Sequence, residues 1–218
     1  MFTLNKFIKP GFLNLSAVLF KSEKRSFIPT LQTIQSPKTY QSLWYKSGQV
    51  WFSTERSNKE LAKEFLTQRK YNEAVEHFKK SIEEEIKKHG REYDDSVADD
   101  YFHLGKAYFR LGRYPQALEC YKKAEAITSR IHGQDFKDLA DIYSDIALTY
   151  NRLDQPETSL DFHHKCINLL KKLGGENNPD LGLAYLHMAG TYYHQRKYNE
   201  ALKYYERALK LVKQALGE

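Results

Sequence analysis

The stretch DYFHLGKAYFRLGRYPQALECYKKAEA, residues 100–126, decides the fold. Tyr101, Leu104, Gly105 and Tyr108 stand at i, i+3, i+4 and i+7, one face of a helix. A break at Leu111-Gly112-Arg113 follows. Ala117, Tyr121 and Ala124, spaced by four and three, then mark a second helical stripe. The pattern returns 42 residues later in IYSDIALTYNRLDQPETSLDFHHKCIN (142–168), with Tyr143, Ile146-Ala147, Tyr150, Ser159, His163 and Cys166 at the matching positions. After another 42 it returns in AYLHMAGTYYHQRKYNEALKYYERALK (184–210), with Tyr185, Met188-Ala189, Tyr192, Ala201, Tyr205 and Ala208. A weaker copy lies 43 residues upstream: Leu61-Ala62, Phe65, Tyr71, Ala74, Phe78 and Ser81, with Asn58 in place of the leading aromatic.

A repeat of this length, made of two amphipathic helices, describes a stacked array in which each unit buries its apolar face against its neighbours. Small residues (Gly105, Ala147, Ala189; Ala117, Ser159, Ala201) recur where helices must approach closely, and large aromatics fill the space beside them. Pro115 and Pro156 suit the first turn of a second helix, where a missing N–H is harmless. Gly90, Gly133, Gly175 and Gly217 punctuate the copies and suit a left-handed residue that ends a helix.

The succession of aromatic, Leu, Gly/Ala, Tyr, Ala, aromatic and Ala resembles the tetratricopeptide repeat (TPR). The 42-residue period, against about 34 in the usual repeat, resembles the kinesin-light-chain type with extended helices. The expected architecture is all-α: a helix-turn-helix solenoid over 55–218, with repeats at about 55–92, 93–134, 135–176 and 177–218. It follows a largely disordered basic segment, 1–54. The third copy is the degenerate one, with His163 at an aromatic position and Cys166 at a small one.

The resemblance implies an interaction solenoid whose first helices line a concave face for a peptide or helix. Its groove positions fall on Asp99, Phe102, His103, Lys106, Phe109 and Arg110 in the second copy. In the third they fall on Asp141, Ser144, Asp145, Leu148, Asn151 and Arg152, and in the fourth on Leu183, Leu186, His187, Gly190, Tyr193 and His194. Phe102, Phe109, Leu186 and Tyr193 are apolar outside the core stripe, as a partner-facing surface requires, although contact between helix edges or shielding by the N-terminal segment would also explain them. TPR domains that hold the acidic C-terminal peptide of chaperones use a clamp of Lys and Asn. The matching Phe102, Lys106, Ser144 and Leu148 lack the paired asparagines, which argues against that ligand. Leu202, Tyr205, Leu209 and Val212 have no obvious cover within the sequence; a partner, the leader folding back or a longer natural chain would each cover them, and each puts function at that edge.

The chain has 218 residues, 41% hydrophobic and 28% charged, enough apolar material for a core. No apolar run is long enough for a membrane-spanning helix. Net charge is +6, and all of the excess lies in 1–54, where seven basic residues (Lys6, Lys9, Lys21, Lys24, Arg25, Lys38, Lys46) meet one acid, Glu23. The rest is neutral overall, which argues against a whole-surface nucleic-acid binder. A basic, Ser- and Phe-rich, acid-poor leader has the composition of a mitochondrial presequence. Arg25-Ser26-Phe27-Ile28-Pro29-Thr30 resembles a two-step cleavage pattern. A secretory signal fits less well, because Asn14 interrupts the apolar core and no small-x-small site follows. Trp44-Tyr45 and Trp51-Phe52 are unusual for plain disorder and leave a nucleic-acid arm as an alternative.

Little in the sequence suggests catalysis. There is no Gly-rich phosphate loop, HExxH or GxSxG. His163-His164 and Cys166 lack a second ligand pair at metal spacing. Cys120 and Cys166 are expected as buried thiols. Asp94, Asp95, Asp99 and Asp100 are expected to favour a helix N-terminus through the macrodipole. The expectation is therefore a non-enzymatic, cofactor-free scaffold with a protein partner, acting in mitochondria in assembly or maintenance of a complex. The alternatives are a cytosolic cargo adaptor of the kinesin-light-chain kind, or an RNA-associated factor using the basic arm.

Overall fold

The computed structural model describes residues 42–46, 49–53, 56–90 and 93–216. The basic leader with Arg25–Thr30, and Gly217, lie outside them. The chain divides into two units, residues 1–55 and 56–218. In the first, β1 (Ser42–Lys46) and β2 (Gln49–Ser53) pair antiparallel, with Trp44 opposite Trp51 and Tyr45 opposite Val50. These two strands are rich in the aromatic residues that favour pleated sheet.

Among its described residues the second unit contains eight helices, in order α1 (Asn58–Thr67), α2 (Tyr71–His89), α3 (Asp95–Arg110), α4 (Tyr114–His132), α5 (Asp138–Arg152), α6 (Pro156–Gly174), α7 (Asp180–His194) and α8 (Tyr198–Leu216). Each packs on the next, and each odd-numbered helix also meets the following odd-numbered one. The array opens with a capping box: the Glu60 N–H donates to Ser57 Oγ at 3.2 Å, and the Ser57 N–H to Glu60 Oε2 at 3.1 Å.

The turn inside each repeat is built identically although its sequence varies. Arg69, Gly112, Asp154 and Arg196 all take φ between 57° and 73°. The next N–H then reaches back to the carbonyl of the aromatic that ends each first-helix stripe: Lys70 to Phe65, Arg113 to Tyr108, Gln155 to Tyr150 and Lys197 to Tyr192, at 2.9–3.0 Å. This is the Schellman closure that satisfies a helix's last carbonyls. Between repeats the expectation needs correction. Gly90 is left-handed (φ 61°, ψ 18°), but Gly133 and Gly175 combine φ of 81° and 70° with ψ of −177° and −170°. That region is essentially closed to residues with a Cβ, so these two turns demand glycine more strongly than a left-handed cap would.

The core is a column of small and aromatic residues running along the array. Ala62, Ala74, Ala117, Ala124, Ala147 and Ala189 are fully buried, and Phe78, Tyr121 and His163 occupy one recurring position on α2, α4 and α6. At Gly105 the approach is closest: an added Cβ would lie 2.6 Å from the Tyr121 ring.

Candidate functional site

The face expected to form the groove is carried by α1, α3, α5 and α7, and much of its polar chemistry is spent holding those helices to each other. Lys59 Nζ on α1 lies 2.8 Å from Asp99 Oδ2 and 3.3 Å from Asp100 Oδ1 on α3, and Lys63 Nζ lies 2.9 Å from Asp99. His103 Nδ1 stands 3.0 Å from Asp99 Oδ1, and its ring stacks on Phe78 at 5.8 Å. Burial would raise the Asp99 carboxyl, but hydrogen bonds from His103, Lys59 and Lys63 together hold it well below the usual carboxylate range. Asp100 is completely buried and accepts from Ser81 Oγ at 2.6 Å. Burial raises its carboxyl above the usual value, against the bonds from Ser81 and Lys59. The helix-dipole reading of the four aspartates therefore holds for the first turn, where Asp94 caps α3 through the Ser96 N–H. Asp99 and Asp100 instead make the junction between the first two repeats.

This junction yields a contrast. Asp100 is matched by Ile142 and Ala184 in the later repeats, and a buried ion pair is often no better than an apolar contact. Asp100→Ala together with Ser81→Ala, which removes both hydrogen-bond partners, is expected to change stability by less than about 1 kcal/mol. Lys59→Met strands Asp100 without a cation and is expected to cost about 2 kcal/mol. Urea midpoints of the two variants provide the check.

Further along, Lys106 sits 4.1 Å over the Phe102 ring and 3.9 Å from Asp145 Oδ2. Burial pushes the Asp145 carboxyl up to about 6, against the neighbouring Lys106 charge. Ser144 Oγ and His187 Nδ1 share a 3.0 Å hydrogen bond between α5 and α7. Burial also lowers the His187 imidazole. Beside this pair His163, buried on α6, bonds through Nε2 to Thr191 Oγ1 at 3.1 Å. Thr191 in turn donates to the His187 carbonyl at 3.3 Å. That pattern makes Nε2 the protonated nitrogen of His163, leaving Nδ1 a buried acceptor with no hydrogen-bond partner. Burial lowers this imidazole to about 3. His164, its neighbour, points to solvent.

The expected apolar positions divide into two groups. Phe102 and Phe109 are half-buried, Phe102 against Tyr121 at 5.9 Å and Phe109 edge-on to Tyr114 at 5.4 Å. Both serve packing inside the second repeat. Leu183, Leu186 and Tyr193 are exposed. Arg110, Arg152 and His194 occupy the last turns of α3, α5 and α7 and are also exposed, as is Asp141, while Asn151 is half-buried. Among the described residues neither arginine forms an ion pair. The free part of the face is thus a row of basic side chains, one in each of the last three repeats, leading to an apolar end.

Cys120 and Cys166 are buried free thiols, and burial pushes both up to about 12. Among the described residues no three His, Cys, Asp or Glu side chains come together as a metal site. No helix among them is long and apolar enough to cross a membrane. The Asp100–Ser81 bond and the His163–Thr191 network are the features that periodicity does not show. Their one signal in the sequence is a polar residue at a position that other copies fill with an apolar one.

No curated protein matches the chain in sequence. Among solved structures the chain is similar to BtubC (BKLC) from P. vanneervenii, at 18% identity and a TM-score of 0.68 over 74% of this chain. It spans 64% of that protein's length. It is also similar to MamA (21%, TM-score 0.56, 74% of this chain and 80% of that one). A third similar structure holds the nearly identical TPR-like repeats of a kinesin-light-chain type from Podosopora anserina (18%, TM-score 0.62, 72% and 74%). At such identities the likeness is one of fold. The family model for the tetratricopeptide repeat matches residues 55–130 and 138–214. With both matches falling on the helix pairs described above, the chain belongs to the tetratricopeptide repeat family.

Proposed function

We propose that the chain is a non-enzymatic scaffold that holds a protein segment along the face of its first helices and works in mitochondria, in the assembly or maintenance of a protein complex. The observation that carries the binding part is the row Arg110, Arg152 and His194, exposed at the last turns of successive first helices and ending beside exposed Tyr193, with Leu186 exposed earlier on the same helix. Such a row suits a segment with acidic side chains and a bulky apolar end, since like positions recur along a solenoid at regular steps. Lys59 and Lys63 with Asp99, and Lys106 with Asp145, tie neighbouring first helices together, an arrangement suited to rigidity. The mitochondrial part rests on the basic, acid-poor residues 1–54.

Two measurements test the reading. Terminal-peptide mass spectrometry on fractionated cells should find the protein in mitochondria with its N-terminus well beyond Met1. An intact leader in the cytosol would overturn import and favour the adaptor. The double variant Arg110→Glu, Arg152→Glu should keep its helicity and melting while losing the subunits that co-purify with the native chain. Their retention at full occupancy would remove the groove from the proposal.

A further inference from the structure

Charge on this array is sorted between its two edges. The turns inside the repeats form one edge, and the turns between repeats form the other. On the second edge the ions are paired: Lys137 with Asp180, Lys171 with Glu176 and Lys172 with Asp135. The first edge is different. Its four turns, residues 68–70, 111–113, 153–155 and 195–197, hold Arg69, Lys70, Arg113, Arg196 and Lys197 against one acid, Asp154. All five cations are exposed, and none forms an ion pair among the described residues. The array is neutral only as a sum.

These cations have no use in holding the fold. Lys70 and Arg113 stand at the caps that open α2 and α4, and Lys197 directly precedes α8. The start of a helix carries partial positive charge and disfavours a cation. Glu73 and Glu200, one turn further along α2 and α8, pair with neither lysine among the described residues. The turns are built alike, each closed by the bond to its aromatic's carbonyl, and Gln195 Nε2 donates to Glu157 Oε1 at 3.3 Å across the last two. A tyrosine follows the cations in three of the four: Tyr71, Tyr114 and Tyr198. Tyr71 and Tyr114 are half-buried. Tyr198 is 57% and Tyr193 56% exposed, their rings edge to face at 5.4 Å. The third turn, Asp154-Gln155 before Pro156, has neither cation nor tyrosine, and exposed Arg152 just ahead of it carries the charge across.

We infer that this edge binds a single-stranded nucleic acid, with phosphates on Arg69, Lys70, Arg113, Arg196 and Lys197 and a base stacked on Tyr198 beside Tyr193. Phosphates supply the anions that these cations lack, and a base supplies the flat partner that an exposed phenol ring accepts. An acidic polypeptide would meet the cations but leave the tyrosines idle. A membrane surface would call for apolar side chains projecting from the turns. There Gln68 and Gln195 are polar, while Leu111 and Leu153 are half-buried.

The probe is a fluorescent single-stranded RNA of about 15 nucleotides, titrated with the full chain. It is expected to bind saturably, with log affinity falling against log salt at a slope of about −3. Lys70→Glu, Arg113→Glu and Lys197→Glu together should weaken it at least about tenfold and flatten that slope. Glutamate suits the start of a helix, so helicity and melting should hold. Tyr198→Ala should weaken binding by about fivefold, and Tyr198→Phe, which keeps the ring, should not. These changes leave Arg110, Arg152 and His194 in place, so this inference and the protein partner proposed above fail separately. Absence of saturable binding overturns the inference. So does binding that survives the triple substitution, which would belong to the basic leader. Polyglutamate that binds as tightly as RNA, with no effect of Tyr198→Ala on either, would assign the edge to an acidic protein segment instead. Vesicles of anionic phospholipid bound in preference to RNA would assign it to a membrane.

Discussion

Gly105→Ala is expected to lower stability by about 1–3 kcal/mol, although it replaces a glycine inside a helix with the best helix former. Helix propensity alone favours the change by up to about 1 kcal/mol. Packing opposes it: the new Cβ would stand 2.6 and 2.7 Å from two ring atoms of Tyr121, which is 1% exposed and cannot swing away. Gly105→Leu is expected to exceed about 3 kcal/mol, because no rotamer avoids the ring. The array itself supplies the compensating change. The third repeat pairs Ala147 with His163 where the second pairs Gly105 with Tyr121. Gly105→Ala with Tyr121→His should therefore be less destabilised than the sum of the two single changes by at least about 1 kcal/mol, read from urea midpoints in a double-mutant cycle. Strict additivity would mean that the two residues do not limit each other.

At the other buried junction, His163→Phe is expected to become increasingly favourable relative to the native chain as pH falls. Burial holds the His163 imidazole at about 3, well under its ordinary 6.5. Between those values the unfolded chain binds a proton that the folded chain refuses, so this residue's contribution to stability falls as pH drops through the window. By pH 5 the loss is about 2 kcal/mol. The cause is geometric: Nε2 already donates to Thr191, and a proton on Nδ1 would enter a buried space with no acceptor. Asp145 works in the opposite sense. Its carboxyl is raised to about 6, so the folded state holds the extra proton between about 4 and 6, and stability rises as pH falls across that range. The two effects partly cancel in the native curve. The difference between native chain and His163→Phe, measured from pH 7 to 5, isolates the histidine; a flat difference would refute the assignment.

Several features of the array are legible in the amino-acid sequence alone, for a common reason. Tyr101-Leu104-Gly105-Tyr108 and its copies are set by helix geometry, which maps spacing along the chain onto one face. The recurrence of a face every 42 residues requires stacking of like on like. The helix pairs, the small-against-aromatic columns, the prolines at Pro115 and Pro156 and the uncovered last repeat all follow from that rule. The turn between paired helices is legible only at Gly112. Arg69, Asp154 and Arg196 adopt the same left-handed conformation without advertising it, because the hydrogen bond to the aromatic's carbonyl imposes it.

The groove is less legible. Position in the repeat places these residues on the first helices but does not say which side chains remain free there. Phe102 and Phe109 fill space beside Tyr121 and Tyr114, while Asp99, His103, Lys106, Asp145 and His187 are engaged with one another and with residues on neighbouring helices. Arg110, Arg152, Leu186, Tyr193 and His194 are what is left. Sequence by itself determined the class of this protein, its repeats and its charge asymmetry, because these depend on local spacing and composition. Only the tertiary structure decided that Asp100 is buried against Ser81, that His163 meets Thr191, and which lysine meets which aspartate. Burial and pairing belong to the packed set of helices, and the periodic pattern of any single helix does not contain them.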